Sequence, residues 1–273
     1  MNLNNMRRFG VEVEFVSNLD RREVAVAVEY ETGIKLELAS YSDKSNKWRL
    51  KTDNSIASRG GYGMELVTPI LFGEEQMTNL RDVLKVIEGI GTVNRTCGLH
   101  VHIDITDEGA EPLRRLQKFF AKYEHAIGTL LPESRRGGNN GYCRDHFYRD
   151  QSLIEVFKKL NKRKNTNDLT GSREFGHRGK WNFQNYWRHG SVENRAHSGT
   201  TNPIKVDHWV RLTQAMIAAA FDFRGATIRE GDTCGTYTAK NMLDELRGKG
   251  LIELSTKKFY MRRYKELNDA VCR

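Results

Sequence analysis

The sequence predicts a mixed α and β protein: a β-sheet with one ionisable face and one aliphatic face, and helices packed against the aliphatic side. Three observations lead to this. The segment Phe9-Gly10-Val11-Glu12-Val13-Glu14-Phe15-Val16 alternates with a period of two, so Glu12 and Glu14 share one face of a strand while Val11, Val13 and Phe15 share the other. The segment Cys97-Gly98-Leu99-His100-Val101-His102-Ile103-Asp104-Ile105 repeats the design, with His100, His102 and Asp104 in a row. Strand-like and helix-like segments then alternate through the first half of the chain.

Taken in order, Asp20 opens a short helix over 20–30, and residues 34–38 form a strand in which Leu36 and Leu38 continue an apolar face. Residues 47–51 and 64–67 are the next strands, separated by the turn region Gly60-Gly61-Tyr62-Gly63. Leu80, Val83, Leu84, Ile87 and Ile90 recur at the spacing of an amphipathic helix, which Gly91 ends. After the histidine strand, Pro112 opens a long helix with Leu113, Leu116, Phe120, Tyr123, Ile127 and Leu130 on its apolar face, and Pro132 stops it.

Between 133 and 180 the character changes. Gly137-Gly138-Asn139-Asn140-Gly141 is turn-like, and residues 158–180 carry eight Lys or Arg against Asp168 and Glu174. The expectation is a basic insertion over 133–180 around one short helix at 152–160, serving as a lid, as a docking surface or simply as solvated surface. Residues 181–187 and 191–197 read as a hairpin about His189-Gly190, 206–223 as a buried helix, and 238–271 as a basic helical hairpin. The whole chain, 1–273, is expected to form a single catalytic domain with 203–273 as its helical C-terminal part.

Bulk properties narrow the classes. A chain of 273 residues can bury a substantial core, and its hydrophobic content of 38% falls below the usual globular share of about 45–50%, although the latter also counts glycine. No stretch approaches the roughly 20 apolar residues of a membrane helix, and residues 1–8 lack the apolar core of a signal peptide, so the expected location is the cytoplasm, with no membrane partner. Cys97, Cys143, Cys234 and Cys272 have no CxxC spacing, which argues against a zinc cluster or disulfide framework and for reduced thiols. A net charge of +9 points to an anionic partner: nucleic acid, nucleotide phosphates or an acidic peptide.

Five pieces carry chemistry. Glu12 with Glu14 is the first; two carboxylates side by side repel, and a divalent cation supplies the missing counter-charge, although a plain strand with polar-out alternation has the same spacing. The second is Trp48-Arg49-Leu50-Lys51-Thr52-Asp53-Asn54-Ser55, where alternation aims Lys51 and Asp53 the same way. Third is Glu65 in Met64-Glu65-Leu66-Val67-Thr68-Pro69, a carboxylate among apolar neighbours that is costly to bury unless paired or metal-bound. The His100 and His102 row is fourth, and Glu193 with Arg195 in Ser191-Val192-Glu193-Asn194-Arg195-Ala196-His197-Ser198-Gly199-Thr200 is fifth. Carboxylates with an imidazole suit Mg²⁺ or Mn²⁺, such ions bridge nucleotide phosphates, and an arginine on the same face can stabilise the charge of a transferring phosphoryl group. No GxxxxGK[ST] loop is present, which excludes a P-loop as the cradle.

These parts, in this order, resemble the amidoligase family of the carboxylate-amine ligase superfamily, which shares its fold with glutamine synthetase and glutamate-cysteine ligase. The resemblance rests on the Gly-x-Glu-x-Glu strand, Trp-x-x-Lys-x-Asp-x-Ser, Glu-Leu-Val-x-Pro, Thr-Cys-Gly-Leu-His-Val-His-x-Asp and Glu-x-Arg-x-His-x-Gly-Thr, which span about three quarters of the chain. It implies the α+β class, an antiparallel sheet forming a funnel-shaped site with helices on its back, and use of ATP with divalent ions. It also implies activation of a carboxylate as an acyl phosphate and its capture by an amine. Carried over residue by residue, it makes Glu12, Glu14, Glu65, His102 and Glu193 metal ligands. Arg195 becomes the phosphoryl-stabilising group, Glu65 and Asp53 join it as catalytic candidates, and Lys51 and His100 bind nucleotide or substrate. Asn194 departs from the family pattern, where an aromatic usually stands between the acid and the arginine; it falls on the opposite strand face and bears on packing rather than chemistry.

Two other functions fit some of the same features. A metal-dependent nuclease or phosphodiesterase also uses acidic pairs, an HxH strand and a basic surface, but needs no ATP. A non-catalytic nucleic-acid-binding protein fits the charge and the aromatics Trp181, Phe183, Tyr186 and Trp187, but has no use for five aligned acidic and histidine positions. The partners expected are therefore ATP, a carboxylate donor and an amine acceptor, one of them a peptide or other acidic macromolecule, with nucleic acid less favoured.

Overall fold

A computed structural model describes residues 2–40, 43–137, 140–171, 173–225 and 228–269, so Gly138, Asn139 and Cys272 lie outside the described residues. The chain divides into two compact units, 2–104 with 197–210, and 105–196 with 211–273.

The first unit is built on strands β1 (Phe9–Ser17), β2 (Glu37–Ala39), β3 (Arg49–Thr52), β4 (Tyr62–Val67), β5 (Gly91–Thr92) and β6 (Gly98–Asp104), with helices α1 (Arg21–Thr32) and α2 (Gly73–Ile90). The strand order is β2-β3-β4-β1-β6, with β5 beside the end of β1. Among the described residues of this unit only β2 and β3 run parallel, and the remaining pairs are antiparallel. Alternation fixes which face is which. Val11, Val13 and Phe15 of β1, Met64 and Leu66 of β4, Leu50 of β3, and Leu99, Val101 and Ile103 of β6 are fully buried. Each contributes on the order of 1.5–3 kcal/mol through burial. A one-residue slip of β1 would exchange them for Glu12 and Glu14, so the register that seats the apolar row also seats the carboxylates on the other face.

Local signals set the helix ends. The Asp20 carboxylate accepts from the Arg22 and Glu23 N–H groups at 2.7 and 3.0 Å, and Glu23 accepts from the Asp20 N–H at 2.7 Å, a reciprocal cap at the expected start of α1. Helix α2 buries Met77, Leu80, Val83, Leu84 and Ile87, and its Ile90 carbonyl accepts from the Ser17 hydroxyl at 2.7 Å, fastening its end to β1. Strand β2 is shorter than expected. It is an edge strand of three residues beginning at Glu37, and Leu38 is exposed rather than part of an apolar face.

The second unit is mainly helical: α3 (Ala110–Gly128), α4 (Leu153–Asn161), α5 (Thr166–Thr170), α6 (Asn185–His189), α8 (Ala239–Gly248) and α9 (Leu254–Asn268), with strand β7 (Trp181–Asn182). The chain crosses the division within strand β8 (Ser191–Ser198) and within helix α7 (Pro203–Phe221). Helix α3 opens before Pro112, which its first turn tolerates because that N–H has no helical acceptor, and it ends at Gly128, so Leu130 and Leu131 are buried beyond it. The buried Lys122 ammonium and the Tyr123 hydroxyl both donate to Glu245, at 3.0 and 2.5 Å, which ties α3 to α8. The helical hairpin expected at the C-terminus is present as α8 and α9, with Thr238 and Asn241 capping α8 reciprocally.

The basic 133–180 segment contains a second short helix, α5, and a buried row of its own: Phe147, Leu153, Val156, Leu160, Leu169 and Phe175. It is pinned to α3 by Glu124, a fully buried carboxylate that accepts from the backbone N–H groups of His146 and Phe147 at 2.8 and 3.0 Å. Residues 181–187 differ from the expected hairpin strand: β7 lasts two residues before the chain turns into the single-turn helix α6, which Gly190 closes in a left-handed conformation, φ 64°. Trp181 stacks on Phe120 with ring centroids 3.5 Å apart and Phe183 is buried, so both serve as core.

Charge is unevenly divided along the chain. The first unit carries 14 Lys and Arg against 16 Asp and Glu, net −2, and the second carries 30 against 19, net +11, which together give the +9 of the sequence. Cys97, Cys143 and Cys234 are buried, and none of the three is in a disulfide among the described residues. Among the described residues no helix is long and apolar enough to cross a membrane.

Candidate active site

The ionisable face of the first unit is assembled by strand register. Glu14 of β1 lies opposite Glu65 of β4, which lies opposite Lys51 of β3; one rung along, Glu12 lies opposite His100 of β6, and Gly10 opposite His102. Glu12, Glu14, Lys51, Glu65, His100 and His102 therefore meet as the sequence predicts. His100 Nδ1 is 3.2 Å from Glu12 Oε2, His100 Nε2 is 3.8 Å from Glu14 Oε1, and His102 Nε2 is 3.5 Å from Glu12 Oε1. Lys51 Nζ stands 3.9 Å from Glu65 Oε2. Asp53, just past the end of β3, joins Glu14 and Glu65; its carboxylate also accepts from the Ser55 N–H and hydroxyl at 2.8 and 2.7 Å. Asp104, the last member of the β6 row, is ion-paired with Arg8 at 2.6 Å.

The side chains are largely withdrawn from water, and electrostatics divides the acids. Burial works to raise the Glu12 carboxyl, but hydrogen bonds from His100 and His102 and their charge outweigh it and hold Glu12 well below the usual carboxylate range. Glu65 goes the other way. Burial first, then the charge of Glu12, push it well above the usual range; Lys51 opposes this, while Glu14 and Asp53 add to it. One acid of the group is thus driven toward its neutral form, first by burial and then by the crowding of the others.

Two features of this face escaped the sequence reading. Arg49 shares the strand parity of Lys51 and is buried, with its guanidinium held by the Asp43 backbone carbonyl and Asp43 Oδ1 at 3.9 Å. Gly98 donates its backbone N–H to Glu14 Oε2 at 2.6 Å, and a Cβ there would stand 2.8 Å from His100 Nε2, so only glycine leaves room for the imidazole. Parity would have revealed Arg49. Nothing in the sequence shows that Gly98 approaches a carboxylate.

Glu193 and Arg195 lie in the second unit, on β8. Arg195 donates to Glu193 Oε1, and the other oxygen, Oε2, accepts from the side-chain amides of Asn182 and Asn185 at 2.8 and 2.7 Å. Asn194 is turned to the opposite side, where its amide donates to the Thr213 hydroxyl at 3.0 Å, in keeping with a packing role. Asn182 and Asn185 are further residues that motif spacing did not single out.

A family model described as "Putative amidoligase enzyme" matches residues 5–217. The chain belongs to the amidoligase family. The matched span includes every site residue named above on both units, and it ends within α7, ahead of α8 and α9. No curated protein sequence matches the chain. Membership in this family supports a ligase activity for this amidoligase, acting on a carboxylate and an amine.

The donor set of the first unit fits a divalent cation. Ligand atoms of Glu12, Glu65 and His100, and separately of Glu14, Asp53 and Glu65, lie within 4.8 Å of one another. The donors are oxygen-rich with an occasional imidazole and no thiolate, which suits a hard ion such as Mg²⁺ or Mn²⁺ rather than a structural zinc. Burial and the neighbouring acids raise the Glu65 carboxyl, and a bound cation would offset the second of these.

Proposed function

We propose that this amidoligase is an ATP-dependent carboxylate-amine ligase of the carboxylate-amine ligase superfamily, with a glutamine-synthetase-like, funnel-shaped site in a single catalytic domain. The observation that carries the reading is the crowding of Glu12, Glu14, Asp53 and Glu65 on one sheet face, in a chain whose family is that of the amidoligases. Such crowding is unfavourable for stability and useful for holding cations against phosphates.

In the proposed reaction a substrate carboxylate oxygen attacks the γ-phosphorus of ATP and ADP departs, leaving an acyl phosphate. An amine nitrogen then attacks the carbonyl carbon, the C–O bond to phosphate breaks, inorganic phosphate leaves and the nitrogen gives up a proton, forming an amide or isopeptide bond. Glu12, Glu14, Glu65 and His102, with Glu193 as the family motif implies, would hold Mg²⁺ or Mn²⁺. When bound, such ions offset the negative charge of the nucleotide phosphates. Arg195 stabilises the charge that spreads over the transferring phosphoryl oxygens. Lys51 and His100 bind phosphate or substrate, and Asp53, braced by Ser55, orients the amine or an ion.

An acyl phosphate hydrolyses when water reaches it, and we assign the closing role to the basic 133–180 segment. Limited proteolysis should show protection there on adding ATP with Mg²⁺; unchanged cleavage would remove the assignment. The net +11 of the second unit supports an acidic macromolecular substrate, such as a peptide, over a free amino acid. Trp181 and Phe183 are core residues, which removes two of the four aromatics from the nucleic-acid-binding alternative, while Trp187 is exposed. The test is nucleotide turnover with Mg²⁺ in the presence of carboxylates and amines. Glu14→Gln and Arg195→Ala should each abolish it with the circular dichroism spectrum unchanged, and variants as active as the parent would overturn the site assignment. Cleavage of DNA or RNA with Mg²⁺ and no ATP would favour the nuclease.

A further inference from the structure

Glu193 is held more firmly than its pairing with Arg195 requires. It is buried on β8, directly across from Asn182 of β7, so the two side chains stand on the same face of the strand pair. Asn182 donates its amide N–H to Glu193 Oε2 at 2.8 Å. The orientation of that amide is fixed from behind, because Asn182 Oδ1 accepts from the Gln184 backbone N–H at 3.0 Å. That turn starts α6 and brings Asn185, its first residue, round to donate a second amide N–H to the same Oε2 at 2.7 Å. Asn182 and Asn185 are themselves buried. With Oε2 held by two amides, Oε1 is aimed at Arg195, whose own backbone N–H is anchored to the Lys180 carbonyl at 2.8 Å.

We propose that Asn182 and Asn185 are positioning residues: by clamping one oxygen of Glu193 they fix the other against Arg195 and so set the guanidinium that serves phosphoryl transfer. The proposal rests on the ligase reading for the use to which Arg195 is put, and on the clamp geometry alone for how Arg195 is held. An exposed Glu–Arg pair would sample many rotamers, and a guanidinium misplaced by an ångström loses most of its value to a transition state. Neutral amides are suited to the task. They satisfy the buried carboxylate with hydrogen bonds and add no charge of their own beside Arg195. The short β7 and the one-turn α6 that interrupt the expected hairpin have a purpose on this account, since an unbroken strand would carry residue 185 away from Glu193.

The experiment uses the full chain with Asn182→Ala and Asn185→Ala, and reads Arg195 in two ways. In protein labelled with ¹³C and ¹⁵N arginine, the Arg195 guanidinium signals, assigned by their loss in Arg195→Lys, should be resolved in the parent and broadened or averaged in both asparagine variants. In turnover with ATP and Mg²⁺, each variant should lose about 10–100-fold in kcat with the KM for ATP changed by less than about threefold. In an Arg195→Lys background, which keeps a positive charge and residual turnover but has no guanidinium to orient, the asparagine substitutions should cost less than about twofold more, because they act through a group already removed. A purely structural role would lower activity in both backgrounds alike. If an alanine variant does not fold, Asn182→Ser and Asn185→Ser, which keep a donor on a shorter arm, take its place with the same expectations. Arg195 signals unchanged in the variants, or losses that multiply with Arg195→Lys, would overturn the clamp. A parent protein without nucleotide turnover would instead overturn the ligase reading, while the resonance measurement still decides the clamp.

Discussion

His146 should make the second unit acid-sensitive by an amount that can be worked out from its contacts. The imidazole is buried, its Nδ1 is 2.6 Å from the Glu174 carbonyl, and its Nε2 accepts from the Trp181 N–H at 3.0 Å. Those contacts define the neutral ring protonated on Nδ1, since adding a proton to Nε2 would set it against the Trp181 donor. Burial is the main cause that lowers its pKa to about 4; the Glu174 carbonyl opposes this and the charge of nearby Lys180 adds to it. An unfolded histidine titrates near 6.5. The folded value is the lower one, so the unfolded state binds the extra proton and stability falls as pH drops through the window from about 6.5 to about 4. The loss is slight at pH 7, about 2 kcal/mol at pH 5, and about 3 kcal/mol once the pH is well below 4. His146→Gln removes this dependence. It should be less stable than the parent at pH 7 by about 1–3 kcal/mol, through an imperfectly replaced hydrogen bond, yet lose about 2 kcal/mol less between pH 7 and pH 5. Urea unfolding at the two pH values, with a proton-resonance titration of the His146 ring, measures both quantities. A His146 midpoint near 6.5, or equal losses in parent and variant, would refute the reasoning.

Glu124→Gln should show the opposite sign. Burial raises Glu124 to about 8, so its contribution is present below pH 4.5 and fades as pH rises through 8, and the variant should gain on the parent in unfolding experiments between pH 6 and pH 9. Metal-free Glu65→Gln should melt above the metal-free parent, because a repelled acid is gone. Mn²⁺ at a hundred times its dissociation constant should raise the parent by about 2.7 kcal/mol, several degrees in a thermal melt, and the variant by much less. Gly98→Ala places a methyl 2.8 Å from His100 Nε2 and should cost about 1–3 kcal/mol in unfolding free energy while weakening the Mn²⁺ response, with a mutant crystal structure showing His100 displaced.

Much of the first unit was legible because its sheet is two-faced. Glu12, Glu14, Glu65, Lys51, His100 and His102 stand at strand positions whose parity alone assigns them a face, and the apolar partners of the opposite parity are too costly to expose for the register to slip. Helix α1 was legible through Asp20, which caps it locally; the reciprocal bond to Glu23 was not foreseen. Legibility failed where structure depends on contacts distant in sequence. The 181–187 segment alternates like a strand, yet Asn182 bends the chain into α6 by accepting from Gln184, and the reward for the bend is a bond from Asn185 to Glu193 that no local pattern reveals. Likewise the basic 133–180 segment reads as loop from its charge. Its anchor, Glu124, lies on a helix in the preceding segment and holds two backbone N–H groups that carry no sequence signature.

The central claim, that the acidic face serves to activate a carboxylate with ATP, is tested most directly by isotope transfer. Carboxylate substrates found by a phosphate-release screen would be labelled with ¹⁸O in the carboxyl group and incubated with the chain, ATP, Mg²⁺ and the accepting amine. One ¹⁸O is expected in each released phosphate, together with the condensed amide in the mass spectrum, and neither product with Glu14→Gln. Phosphate released without the label, or a condensed product formed without ATP, would contradict it.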